Sequence, residues 1–173
     1  MRFAGIDIGS RTIELVVVDE AGQIKAGFHA DTGFDPITEA KKLVDGVSFD
    51  RIMATGYGRN LFEINFDTPT VTEIKAHGAQ AFFPDSRAVL DIGGQDSKAI
   101  SLFETGKVKK FEMNDRCTAG TGKFLEIMAK NPCMVAFLAE KLERAVLIPE
   151  NPQFIGARGE ALLASELENT LNG

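Results

Sequence analysis

The stretch Gly5-Ile6-Asp7-Ile8-Gly9-Ser10 returns as Leu90-Asp91-Ile92-Gly93-Gly94-Gln95, so the triplet Asp-Ile-Gly occurs twice in this chain of 173 residues. In both copies an apolar run, a turn and a second apolar run follow. The turn glycines, Gly22 and Gly106, each stand fifteen residues after the aspartate. One short match could arise by chance, but the matched order of strand, turn and strand predicts a duplicated structural unit.

The segments between and after the two copies predict helices interleaved with strands. The predicted helices cover residues 36–45, 71–82, 134–144 and 156–171. Short strands are predicted at residues 51–55 and 145–148. We expect the last helix to pack through Leu162, Leu163 and Leu167. This alternation is typical of an α/β fold in which helices cover a sheet.

Composition and charge exclude several classes of protein. With 44% hydrophobic and 25% charged residues, the chain is expected to be globular rather than disordered or coiled-coil. A net charge of -6 argues against nucleic acid as the main partner. Two cysteines are too few for a disulfide framework, and the longest apolar runs fall far short of the roughly 20 residues of a membrane span. We therefore expect a cytoplasmic protein without a membrane partner.

Two Asp-x-Gly turns that face each other would form a clamp for phosphate. At Gly9 and Gly93 the missing side chain lets backbone N–H groups approach an anion. The carboxylates of Asp7 and Asp91 offer oxygen ligands to Mg²⁺ or to its waters. Either motif alone would indicate only a hairpin turn. The pair favours phosphate binding.

Polar residues beside the two turns add to this candidate site for ATP or ADP with Mg²⁺. The first turn contributes three candidates for holding the nucleotide, Ser10, Arg11 and Thr12. The second turn contributes Gly94 and Asp96 besides Gly93. Phosphoryl transfer also needs a group that orients the attacking water, and Gln95 and Asp96 are the nearest candidates. The predicted catalytic set is Asp7, Asp91 and Gln95.

A glycine-rich segment at residues 117–123 leads into a predicted helix. It does not match the Walker motif, because Cys117 and Phe124 stand where that motif needs Gly and Ser or Thr. The positive end of a helix dipole favours the thiolate form of a cysteine, as a ligand or a nucleophile. The simpler alternative is a small buried residue. An iron–sulfur cluster usually takes four thiolates, so Cys117 would need Cys133 or a second subunit.

The two histidines carry no predicted function. His29 ends a predicted strand, and His77 lies within a predicted helix with Glu73 as its one carboxylate at a helical spacing. A surface or packing role is therefore favoured over metal ligation.

Four motifs, taken in order, resemble the activator ATPases of 2-hydroxyacyl-CoA dehydratases and benzoyl-CoA reductases, the BadF/BadG/BcrA/BcrD-type ATPase family. Two are the Asp-Ile-Gly turns of residues 5–10 and 91–96. The others are Ala54-Thr55-Gly56-Tyr57-Gly58-Arg59-Asn60 and Asn114-Asp115-Arg116-Cys117-Thr118-Ala119-Gly120-Thr121-Gly122. The resemblance covers residues 1 to about 130, and the tail from Asn131 is similar to that family's C-terminal end.

The resemblance implies an α/β fold of the actin/hexokinase/Hsp70 type, with a duplicated, ribonuclease H-like βββαβα unit. Residues 1–82 would form the first lobe, with the helix of residues 156–173 packed back on it. Residues 83–155 would form a shortened second lobe. By motif, Asp7, Ser10, Gly93, Gly94 and Gln95 correspond to phosphate and magnesium positions.

The resemblance also implies a function and its cofactors. In the family, ATP hydrolysis drives a low-potential electron from a [4Fe–4S] cluster between the subunits of a homodimer. The electron goes to an acyl-CoA dehydratase or reductase component. Cys117 corresponds to the first cluster cysteine, which would be a metal ligand. Asp7 and Asp91, from the two Asp-x-Gly turns, are the predicted magnesium ligands.

Three departures from the family pattern leave other functions open. A stretch expected between Lys130 and Asn131, with the second cluster cysteine and the adenosine loop, is missing. Many members carry Lys where Glu14 stands, and Cys133 follows the break instead of preceding it. One alternative is therefore a shortened, non-catalytic relative that acts as a binding or regulatory protein. Another is a kinase-like enzyme on the same fold, for which no acceptor-binding residues stand out.

Overall fold

The computed structural model describes residues 1–61, 70–93, 97–114 and 132–172. In the first copy of the repeat and the segment after it, the elements are β1 (Arg2–Ile8), β2 (Thr12–Asp19), β3 (Ile24–Asp31), α1 (Pro36–Val44), β4 (Arg51–Thr55) and α2 (Val71–Phe82). From the second copy onward they are β5 (Ala88–Ile92), β6 (Ser97–Leu102), β7 (Val108–Asn114), α3 (Pro132–Leu142) and α4 (Ile155–Asn172). Short 3₁₀ turns cover Arg59–Leu61 and Pro152–Phe154.

The two copies of the repeat form the same arrangement of strands. β1, β2 and β3 are an antiparallel meander, and β4 adds to β1 in parallel to give the order β3-β2-β1-β4. β5, β6 and β7 form a second antiparallel meander. Asp7 lies opposite Glu14 in the first copy, and Asp91 lies opposite Lys98 in the second. The matching register confirms the predicted duplication.

Strands β1 and β2 are buried on both faces, whereas the edge strand β3 is mostly exposed, and this explains the nearly continuous apolar runs of β1 and β2. Because side chains alternate along a strand, Ile6 and Ile8 lie on the face that α1 covers, in a cluster with Ala40. Phe3 lies on the opposite face, in a cluster with α4. The same alternation places Asp7 on the α4 side of the sheet.

Helix α4 lies unusually close to β1 and to α2. A Cβ atom at Gly5 would come 1.9 Å from the carbonyl oxygen of Ala157, so only glycine permits this approach. The helix packs through Ala157, Ala161 and Ala164, which are fully buried. Leu162 and Leu163 are partly buried against the same cluster, as expected. The prediction for Leu167 is wrong: its side chain lies outside the stripe of buried alanines and is 37% exposed.

Helix α2 lies between α4 and the second sheet. Its start is fixed by a capping box in which Thr70 and Glu73 bind each other's backbone N–H groups. On one side it meets α4, where a Cβ at Gly78 would lie 2.1 Å from the Ile155 carbonyl oxygen. On the other side Ala76 packs with β6. A side chain on α2 can therefore reach residues of both sheets.

The predicted strand at residues 145–148 is wrong. This segment has no strand conformation, and Leu147 and Ile148 are 59% and 44% exposed. Apolar residues alone do not make a strand when no neighbouring strand is available to complete its hydrogen bonds. Among the helices of the described ranges, none has the length and apolar character needed to cross a membrane.

Candidate functional site

Asp7, next to last in β1, is 6% exposed and lies in a cradle of backbone. Gly56 has φ +83°, and a Cβ there would come 2.5 Å from Asp7 Oδ1. A Cβ at Gly156, in the first turn of α4, would come 2.1 Å from Asp7 Oδ2. Both carboxylate oxygens are therefore enclosed by positions that only glycine can occupy.

The turn after β1 holds the candidate phosphate-binding residues in one compact loop. The N–H of Gly9 donates to the carbonyl oxygen of Thr12 at 3.0 Å, so this N–H is used within the turn. The Thr32 hydroxyl donates to the Gly9 carbonyl oxygen at 2.9 Å, and the Thr32 N–H donates to the Arg11 carbonyl oxygen at 2.9 Å. Ser10 is exposed at the tip, beside a cavity of about 240 Å³ that Tyr57 also lines.

Lys75, on α2, joins the two copies of the repeat. Its Nζ donates to Asp7 Oδ2 at 3.0 Å and lies 3.9 Å from Asp91 Oδ1. Burial alone would lower the pKa of Lys75, but the charges of Asp7, Asp91 and Glu14 outweigh it and raise that pKa above its ordinary value. The ammonium group therefore stays charged between two carboxylates.

A second lysine lies on the Asp91 side. Lys98 Nζ is 3.8 Å from Asp91 Oδ2, and its side chain is 9% exposed. In the corresponding position of the first copy stands Glu14, which is also buried. Sequence reasoning missed both lysines as site residues. The signal for Lys98 was its spacing from Asp91, which equals that of Glu14 from Asp7.

Glu160, on the inner face of α4, is fully buried. Within the described ranges, neither of its carboxylate oxygens nor the buried hydroxyl of Thr55 has a hydrogen-bond partner of ordinary geometry. Burial raises the pKa of Glu160 to about 8, and the nearby charge of Asp7 adds to the rise. Nothing in the sequence marked Glu160 as buried, because a glutamate on a helix ordinarily indicates a solvated surface.

Some of the predicted site residues lie close together in the structure, and others are not among the described residues. Asp7 and Asp91 meet at Lys75, and the loop of residues 9–12 follows directly after β1. Gly93 follows β5 at the matching position. Four predicted residues lie outside the described residues: Gly94, Gln95, Asp96 and Cys117. The described ranges contain no group of three or more His, Cys, Asp or Glu side chains arranged to hold a metal ion.

Both histidines have the structural roles that the sequence favoured: His29 is exposed on β3, and His77 makes a contact between helices. His77 Nε2 lies 3.1 Å from Glu166 Oε1 and so links α2 to α4. This contact with His77 lowers the pKa of Glu166. A second link to α4 is the bidentate pair between the Arg51 guanidinium and the Glu168 carboxylate, at 2.9 and 3.1 Å.

Comparison with known proteins identifies relatives over most of the chain. The uncharacterized protein YjiL of Escherichia coli K12 is 42% identical over 154 residues, which is 85% of this chain and 57% of that protein. The activator of lactoyl-CoA dehydratase of Anaerotignum propionicum is 38% identical over 136 residues, or 73% of this chain and 52% of that protein. The chain thus spans little more than half the length of these relatives.

The fold has a close counterpart among solved structures. An activator of the 2-hydroxyisocaproyl-CoA dehydratase from Clostridium difficile, solved with bound ADPNP, superposes with a TM-score of 0.85 at 22% identity. The match covers 99% of this chain and 97% of that one. The expected actin/hexokinase-type fold is therefore confirmed. The sequence profile of the BadF/BadG/BcrA/BcrD ATPase family matches residues 4–136, and the chain belongs to this family.

Proposed function

We propose that this chain binds ATP with Mg²⁺ where its two Asp-Ile-Gly turns meet, and that it acts as an ATP-dependent activator of an acyl-CoA dehydratase or a benzoyl-CoA reductase-like enzyme. The observation that carries the proposal is the convergence of Asp7 and Asp91, from the two copies of the repeat, on one ammonium group. The activators named among the relatives and the ADPNP in the solved activator support the same function.

The donor set between the two turns fits a hard cation. Mg²⁺ prefers carboxylate oxygens and keeps several waters, and Asp7 and Asp91 offer such oxygens. The Lys75 ammonium, which lies between the two carboxylates, supports a cation at this position. When bound, Mg²⁺ would neutralise charge on the β- and γ-phosphates. Asp7 and Asp91 would hold its water shell.

The loops at the two turns would hold and orient the nucleotide. Ser10, Arg11 and Thr12 would lie against the phosphates from the first turn, and Gly93, Gly94 and Asp96 from the second. Gln95 would orient the attacking water. Because Asp7 is fixed by the glycines around it, the first half of the site is preorganised, which lowers the reorganisation needed on binding.

The proposed lobes follow from the same arrangement. Residues 1–82 would form the first lobe, with the helix of residues 156–173 packed on it, and residues 83–155 the shortened second lobe. Supporting this division, α4 packs on β1 and α2, while the second sheet packs on the opposite side of α2. The nucleotide would bind between the lobes.

The described residues do not assemble a site for a [4Fe–4S] cluster. Such a cluster usually takes four thiolates. The chain has two cysteines, of which Cys133 lies exposed in the first turn of α3 and Cys117 lies outside the described residues. A homodimer would supply four thiolates only if both cysteines of each chain were ligands. Electron delivery is therefore proposed from the resemblance alone.

The second candidate is a non-catalytic binding or regulatory protein. It is favoured by the missing adenosine loop, which the family pattern places between Lys130 and Asn131. A triphosphate held mainly by its phosphates loses the contacts to the base that contribute affinity.

Anaerobic purification with iron and sulfide analysis, combined with an ATP hydrolysis assay, separates these candidates. An activator is expected to carry about four irons per dimer and to hydrolyse ATP in the presence of Mg²⁺. Asp91→Asn should lower hydrolysis at least tenfold, whereas Asp85→Asn, an exposed turn position, should not. Hydrolysis without iron would remove electron delivery from the proposal. The absence of both would favour the non-catalytic candidate.

A further inference from the structure

Lys75 is largely buried, which is unusual for a lysine. α2 presents mainly small or apolar residues to its neighbours, among them Ile74 and Ala76, which are buried. Lys75 stands between them in sequence, and its side chain is 17% exposed. Burial removes water from the ammonium group of Lys75. Only negative charges close to the ammonium can compensate for this loss of hydration.

The surrounding charges are those of the proposed magnesium site. Lys75 Nζ contacts Asp7 Oδ2 at 3.0 Å and approaches Asp91 Oδ1 at 3.9 Å. Glu14, opposite Asp7 on β2, adds a third negative charge to the environment of the ammonium. Lys98 Nζ lies 3.8 Å from the second carboxylate oxygen of Asp91, Oδ2. Lys75 is thus the cation shared by the two copies of the repeat.

We propose that Lys75 is the resident cation of the nucleotide site: without nucleotide, its ammonium holds the position between Asp7 and Asp91 that a divalent ion would take. The metal therefore binds there only together with the nucleotide. The inference rests on the proposed function for the identity of the incoming cation.

The two cations exclude each other for a steric and an electrostatic reason. The backbone at Gly56 and Gly156 lies so close to Asp7 that an added Cβ atom would come 2.5 and 2.1 Å from its two oxygens, and this limits how far the carboxylate can turn away from Lys75. A metal held by the same carboxylates, directly or through its waters, would lie close to the ammonium and be repelled by it. The phosphates of a nucleotide offer the ammonium new partners, so their arrival releases the aspartates. Lys75 is in this sense a positioning residue.

Equilibrium binding of Mn²⁺ to the nucleotide-free chain, followed by electron paramagnetic resonance, tests the proposal. Lys75→Met removes the charge and keeps an apolar stem, and it should bind Mn²⁺ at least tenfold more tightly than the wild-type chain. Lys75→Arg keeps the charge and should bind like the wild type. Lys42→Met, which removes an exposed lysine paired with Glu39, is the matched control and should change nothing.

Two further measurements make each outcome decisive. Adding Asp91→Asn to Lys75→Met should abolish the gain in affinity. Because Lys75→Met leaves buried carboxylates without their partner, its melting temperature is measured with and without Mn²⁺, and the ion should raise it more than in the wild type. A folded Lys75→Met chain without tighter binding, or a chain that Mn²⁺ does not stabilise, overturns the proposal. No nucleotide is present, so failure here concerns Lys75 alone, whereas failure of the wild type to bind ADPNP would overturn the proposed function.

Discussion

Replacing Glu160 by glutamine should change how the stability of the chain depends on pH. The carboxyl group is fully buried, and burial raises its pKa from 4.5 to about 8 in the folded state. Between these two values the folded chain keeps a proton on Glu160 that the unfolded chain has lost. The free energy of unfolding therefore falls as pH rises through this window.

The size of the effect follows from the two pKa values. Each unit of pKa difference corresponds to about 1.4 kcal/mol of unfolding free energy. Near pH 6.5 the free energy of unfolding should therefore fall by about 1.4 kcal/mol for each pH unit. Between pH 5.5 and pH 8.5 the contribution of Glu160 to the free energy of unfolding should fall by about 3 kcal/mol. In Glu160→Gln no proton is taken up or released at this position, so that component of the pH dependence disappears.

Urea unfolding at pH 5.5, 6.5, 7.5 and 8.5, followed by circular dichroism, measures this difference. From pH 5.5 to pH 8.5 the free energy of unfolding of the wild-type chain should fall by about 3 kcal/mol more than that of Glu160→Gln. Glu104→Gln, at an exposed turn position, is the control and should follow the wild type. Parallel pH profiles for the wild type and Glu160→Gln would refute the reasoning, because the carboxyl would then titrate alike in both states.

Three other substitutions test the packing around the site, each by urea unfolding at constant pH. Gly156→Ala places a Cβ atom 2.1 Å from Asp7 Oδ2 and should destabilise the chain by about 1–3 kcal/mol. An unchanged midpoint would show that α4 lies farther from Asp7. Ile6→Ala empties a fully buried position and should cost about 2–5 kcal/mol, and a loss below 1 kcal/mol would contradict the placement of β1 in the core. Thr70→Ala removes the capping box of α2 and should cost about 1 kcal/mol, and no loss would contradict the cap.

Local signals in the sequence were enough to predict most of the fold. β4 and α2 begin and end as predicted, at residues 51–55 and 71–82, because an apolar run and a capping residue define their limits. The duplication was visible because both copies keep the same spacing from aspartate to turn glycine. The strand predicted at residues 145–148 failed because strand formation depends on a partner, which local composition does not reveal.

The site was predictable only in part, for a related reason. Asp7 and Asp91 stand in matching motifs, so the repeat itself indicated that they belong together. The role of Lys75 depends on how α2 lies between α4 and the second sheet, and that of Glu160 on how closely α4 approaches β1. Both are consequences of tertiary packing. A lysine or a glutamate on a helix otherwise indicates only a solvated surface.

Calorimetric titration with ADPNP and Mg²⁺ tests the central claim, that a nucleotide binds between the two aspartates. We expect micromolar binding to the wild-type chain, a loss of at least tenfold in affinity for both Asp7→Asn and Asp91→Asn, and no loss for Asp85→Asn. Loss in both aspartate variants would show that the two copies of the repeat share one site. An absence of binding to the folded wild-type chain, or full affinity in either aspartate variant, would contradict it.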